Sequence, residues 1–148
     1  MIATDIISLV DAKDYLALDD TSRDREVKRM TKSAIAWVEK HTQHILVNQT
    51  KKFALDEGCV RVYDFPIRSL GEEFTEIIRP TYSSITTDNQ ETEVIEVELG
   101  YNNIDDIPED LIELCYLMLK FFFYEQEGNG KIPESVMCIA HAHRRFIV

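Results

Sequence analysis

Between positions 111 and 124 the chain is apolar at every residue except Glu113 and Lys120. Fourteen residues of this kind predict a helix, and one so apolar must be covered on nearly all sides, by its own domain or by a neighbouring copy. Its start is marked as well. Gly100 ends a strand, Asp105 and Asp106 lie in a short acidic loop, and Pro108 falls in the first turn, where its missing N–H costs nothing. Glu109 and Asp110 face the positive end of the helix dipole. No catalytic group lies in this helix.

Upstream, Ser8 is placed to cap a short helix over residues 9–18, with Asp11 at the capping-box position. Asp19-Asp20-Thr21-Ser22 breaks it with turn-favouring side chains. A longer helix is predicted over 24–44. Val27, Met30, Ala34, Trp37, Val38, His41 and Ile45 recur at the three-four spacing of a buried stripe. Arg25, Lys28, Arg29 and Lys32 follow the same spacing on another face.

The middle of the chain alternates with period two. Phe53 and Leu55, then Val60 and Val62, have polar neighbours, and Ile95, Val97 and Leu99 alternate with Glu96 and Glu98. Residues 66–70 read as an edge segment and 80–90 as a polar loop with its turn tip at Asp88-Asn89-Gln90. Beyond the apolar helix, Gly128-Asn129-Gly130 is a strong stop. Pro133 then opens a last helix through Val136, Ile139, Ala140, His143 and Phe146. The expected fold is α+β and mainly helical: two N-terminal and two C-terminal helices around a small antiparallel sheet. Residues 1–148 are expected to form one domain, with no internal repeat or linker to divide them.

Charge and cysteine content narrow the function. A formal net charge of −11 argues against a protein that grips nucleic acid through overall charge, although an acidic wall suits DNA sliding past it. The first residues lack the basic and long apolar regions of a signal peptide. The apolar helix is shorter than the ~20 residues that cross a bilayer. Cys59, Cys115 and Cys138 have no paired spacing, so reduced thiols in a cytoplasmic setting are expected.

Candidate chemistry is sparse. His41 and His44 lie three apart, and Cys138, His141 and His143 cluster near the end, but nothing in the sequence joins the two groups into a metal site. No phosphate-binding glycine loop and no linked nucleophile and base are present. We therefore expect no catalytic residues, no cofactor and no metal. Arg25, Lys28, Arg29 and Lys32, with Glu96 and Glu98, are instead candidates for complementary faces between subunits. The four basic residues have a simpler reading as a solvated helix face.

The order of these pieces resembles the head–tail connector, or neck adaptor, family of tailed double-stranded DNA phages. The resemblance is carried by Ile7 to Leu16 with the Asp-rich break after it, Ala34 to Thr42, and Phe65-Pro66-Ile67. It continues through Val97-Glu98-Leu99-Gly100-Tyr101, Ile107 to Leu111, Phe122-Phe123-Tyr124-Glu125, and the closing segment from Pro133 to Arg144-Arg145-Phe146. It implies a non-enzymatic virion protein of the neck, assembled in the host cytoplasm. In that family a ring, commonly of twelve copies, sits beneath the portal, extends the DNA channel, and offers a platform to the next neck or tail protein. DNA passes through without specific binding, and no membrane is involved. The carboxy-terminal residues His141, His143, Arg144, Arg145, Phe146, Ile147 and Val148 are then candidates for docking on the portal, or else pack back on the core. A small cytoplasmic interaction or regulatory module without a virion role is the competing reading, and an enzyme site assembled from scattered Asp, Glu and His a more distant one.

Overall fold

The computed structural model describes residues 1–124 and 131–144. Among these residues, five α-helices and six strands follow one another as α1 (Ala3–Ile6), α2 (Leu9–Tyr15), α3 (Asp24–Thr42), β1 (Gln49–Ala54), β2 (Cys59–Val62), β3 (Ile67–Ser69), β4 (Phe74–Ile78), β5 (Ser83–Thr87), β6 (Val94–Leu99), α4 (Glu109–Tyr124) and α5 (Glu134–Ala142). A single 3₁₀ turn at Ile104–Asp106 precedes α4. The expected α+β class is the observed one. The helix count rises by the four-residue turn of α1, which is too short to show a periodic pattern.

Local chemistry sets the helix ends. The Ser8 hydroxyl oxygen accepts the Asp11 N–H at 3.1 Å and donates to the Asp11 carboxylate at 2.7 Å, capping α2. α2 ends at Tyr15, earlier than the sequence suggests, because Ala17 takes a left-handed conformation with φ 56°. α3 ends where Gln43 turns left-handed at φ 62°. The Pro108 carbonyl accepts the Leu111 N–H at 3.0 Å and so starts α4 from just outside it.

α3 and α4 pack along one another, and α1, α2 and α5 lean on α3. Two contacts fix their direction. The Arg23 guanidinium, just before α3, lies 4.1 Å from the centroid of the Phe123 ring near the end of α4. At the other end, His44 bonds Tyr101, ahead of α4. The two helices are therefore antiparallel. Leu111, Leu114, Cys115, Met118, Leu119 and Phe123 of α4 are buried in this helical core. Beyond its first turn, where Glu109 and Asp110 are exposed, Glu113, Lys120 and Tyr124 stay exposed, and Ile112, Tyr116, Leu117, Phe121 and Phe122 are half-buried. The expectation of cover on nearly all sides is corrected to that extent.

The strands make two antiparallel three-stranded sheets, ordered β1-β6-β3 and β2-β5-β4, where one small sheet was expected. Their inner faces share a second core of Ile45, Val62, Ile85, Ile95, Val97 and Leu99. β6 buries its odd-numbered residues and exposes Glu96 and Glu98, as its alternation predicts. The segment read as a polar loop instead contains β5, the central strand of the second sheet. Its Ser83 and Thr87 are buried, and their hydroxyls are satisfied by Glu76 at 2.8 Å and by the Asn89 N–H at 3.2 Å. Polar residues that pair in this way can fill a central strand without the apolar alternation that reveals one. The turn at Asn89 follows as expected, its side chain accepting the Glu91 N–H at 3.0 Å.

Glu39 ties the two layers together. Its carboxylate accepts from the Val47 N–H at 3.3 Å and from the Gln49 side chain at 3.0 Å, at the entry to β1. Burial pushes its pKa up, and those bonds oppose the rise.

Candidate assembly surfaces

Arg25, Lys28, Arg29 and Lys32 stand at i, i+3, i+4 and i+7 of α3, so helix geometry places them on one face. The structure brings all four to the lining of one open hollow, together with Ser22, Arg23 and Glu26. All four are exposed, and none of them makes an ion pair or side-chain hydrogen bond among the described residues. Ile2, 61% exposed, borders Lys32 in a neighbouring groove. A positive surface with an apolar neighbour is thus left open at the amino-terminal half of α3.

The proposed acidic counterpart is different in kind. Glu96 and Glu98 share the exposed face of β6, but each already meets a cation of its own sheet. Lys52 lies 3.4 Å from Glu96, directly opposite in register, and Arg68 lies 3.3 Å from Glu98. Such exposed cross-strand pairs offset part of the negative charge on that face.

An acidic surface that the sequence showed only as a helix-capping run is more open. Asp105, Asp106, Glu109 and Asp110 are all exposed at the head of α4. Asn103 donates to Asp106 at 3.4 Å, and His143 approaches Asp110 at 3.5 Å. Neither Asp105 nor Glu109 has an ion pair among the described residues.

The candidate docking tail is described only in part. His141 and Arg144 are exposed, while His143 is half-buried beside α4. Arg145, Phe146, Ile147 and Val148 lie outside the described residues, as does the Gly128-Asn129-Gly130 stop. A feature the sequence did not single out is the tip of the second sheet. There the Arg61 guanidinium sits 4.9 Å from the Tyr82 ring centroid, and Tyr63 packs on Tyr82 at 5.9 Å. Ile77 and Ile78 are exposed on the adjoining β4.

The histidines and cysteines are dispersed. The His41 ring stacks on Trp37 at 4.0 Å and its Nδ1 meets the Trp37 carbonyl at 2.9 Å, whereas His44 faces Tyr101. Cys59 and Cys138 are exposed, Cys115 is buried, and all three are free thiols. Burial pushes the Cys115 thiol up to about 12, with Glu39 adding to the rise. Among the described residues, no three His, Cys, Asp or Glu side chains are grouped so as to hold a metal ion. No helix among them is long and apolar enough to cross a membrane.

No family model matches the chain, and no curated protein does. Solved structures do. A chain of the virion of a native gene transfer agent particle is similar over 100% of this chain and 94% of its own length, with a TM-score of 0.75 at 15% identity. Chains from two neck structures follow. One, from the neck of an empty particle computed with C6 symmetry, covers 99% of this chain and 92% of its own at a TM-score of 0.71 and 16% identity. The other, from the neck of a native particle computed with C12 symmetry, covers the same shares at 0.72 and 15%. At this identity the likeness is one of fold, and it runs from end to end. The chain has a fold found in gene transfer agent virions and their necks, the kind of fold that a resemblance to phage head–tail connectors implies.

Proposed function

We propose that this chain is a structural protein of a virion neck, forming a ring beneath the portal that extends the DNA channel and joins head to tail. The observation that carries the reading is the full-length similarity to chains of gene transfer agent particles, with shares above nine-tenths on both sides. An agreement over 99–100% of the chain is more than a shared helical pair supplies. The C6 and C12 symmetry of the neck structures supports a ring of identical subunits. Such a ring uses two different complementary faces per subunit, and surfaces of opposite sign without ion pairs between them are present among the described residues. In this role the protein is not catalytic and needs no cofactor. The net charge of −11 favours passage of DNA over its retention, because acidic side chains repel phosphate. The carboxy-terminal segment from His141 to Val148 serves as the contact with the portal, and the opposite rim receives the next neck or tail protein.

The test is removal of the chain from a particle-producing cell. DNA-filled heads without tails, restored to tailed particles by adding the purified protein, are expected. Normal tailed particles in its absence would refute the role.

A further inference from the structure

The open basic hollow on α3 and the open acidic head of α4 sit at opposite ends of the helical layer. Arg23 against Phe123 places the start of α3 beside the end of α4, and His44 against Tyr101 places the end of α3 near the start of α4. About 15 Å of helix, at ~1.5 Å per residue, separates Lys32, the basic residue nearest that end, from the α3 terminus at Thr42. No ion pair joins the two groups within one chain among the described residues. Among the described residues, the four basic residues at one end and the four carboxylates at the other are left without partners of opposite sign, apart from the Asp110–His143 approach. This arrangement suits a head-to-tail contact between copies, in which different faces meet and the rotation closes.

We infer that the hollow formed by Arg25, Lys28, Arg29 and Lys32 receives the α4 head of a second copy of this chain, with Asp105, Asp106 and Glu109 as the opposing charges. This rests on the neck-ring reading and replaces Glu96 and Glu98 as the acidic side of the contact, since Lys52 and Arg68 already engage them. Exposed Ile2 beside Lys32 supplies an apolar anchor at the edge of the charged surface. Charges of this kind set register and partner choice, and the contact weakens as salt screens them.

Two triple variants test it. Lys28→Glu, Arg29→Glu and Lys32→Glu make the hollow acidic, and Asp105→Lys, Asp106→Lys and Glu109→Lys make the α4 head basic. Each full-length variant is added to DNA-filled heads that lack the protein, and incorporated chain is counted by quantitative mass spectrometry. Each variant alone is expected to fall at least tenfold below wild type, because like charges then meet at every contact. An equimolar mixture is expected to recover most of the wild-type incorporation, since the two variants complement one another around any even-numbered ring. Recovery also shows that both variants fold. Zero-length carbodiimide cross-linking of the wild-type ring, half of it isotope-labelled, is expected to join Lys28 or Lys32 of one copy to Asp105, Asp106 or Glu109 of another. Wild-type protein that never joins heads would overturn the neck-ring reading, and this inference with it. Wild-type protein that joins while the variants join equally well overturns the inference alone. So do variants that the mixture does not rescue despite native melting curves.

Discussion

The Nδ1 atom of His44 lies 2.7 Å from the hydroxyl of Tyr101, joining residues 57 positions apart at the point where the helical layer meets the sheets. Tyr101 is 8% exposed, so its hydroxyl has little access to water as an alternative partner. Tyr101→Phe removes the bond. A loss of about 1 kcal/mol is expected in a urea melt, in line with a single neutral hydrogen bond. A loss near zero would mean that the pair merely touches.

The same tyrosine makes stability fall in alkali. Burial pushes Tyr101 up to about 12 from an ordinary value of 10.0, and Cys115 up to about 12 from 9.0. Below the unfolded values both groups are protonated in either state, and their contribution is fully present. As pH rises above those values the unfolded chain releases protons that the native state retains, so stability is lost progressively up to the folded values. Each group contributes a slope of up to about 1.4 kcal/mol per pH unit in its window. Melts between pH 8 and 12 should show Cys115→Ala removing the part of the slope that begins near pH 9 and Tyr101→Phe the part that begins near pH 10. Slopes equal to wild type in both variants would contradict this origin.

Leu114 and Phe122 belong to the same apolar helix but not to the same environment. Leu114 is fully buried, whereas Phe122 is half-buried near the end of α4. Leu114→Ala should cost roughly 2–5 kcal/mol, the range for buried leucines that leave a cavity. Phe122→Ala should cost clearly less. Equal losses would place the two side chains in equivalent surroundings, against the observed burial.

Gly100 holds the turn between β6 and the approach to α4 at φ +124°, a conformation that side chains rarely adopt. A Cβ there would stand 2.5 Å from the Asn48 side-chain amide and 3.1 Å from the Asn48 Cα. Gly100→Ala is expected to destabilise by roughly 1–3 kcal/mol through backbone strain alone, with the clash adding to it. Adding Asn48→Gly to the variant should recover only the part due to the clash. Full recovery would remove the backbone from the explanation.

The legible and illegible parts of this molecule differ physically. The α4 run and the β6 alternation stand out because burial there is achieved with side chains that are apolar in any context. The Ser8 cap is legible because its chemistry is local. β5 is hidden because polar Ser83 and Thr87 occupy its buried positions, their hydroxyls satisfied by Glu76 and by the Asn89 N–H, so the strand lacks an apolar alternation. The basic stripe was visible from its spacing. Its proposed partner was not, since a carboxylate run at a helix start is fully explained as a cap. Only the pairing of Glu96 and Glu98 with Lys52 and Arg68, and the antiparallel course of α3 and α4, redirect attention to it.

Cryo-electron microscopy of purified particles that carry this chain is the most direct measurement of its role. Classification without imposed symmetry, focused on the junction of head and tail, should reveal a closed ring between the portal and the tail. Its repeating density should fit the helical layer and both sheets, with the α3 hollow of each copy against the α4 head of the next. Particles whose neck contains no density of this fold, with the protein found only free in the cell lysate, would contradict the neck assignment outright.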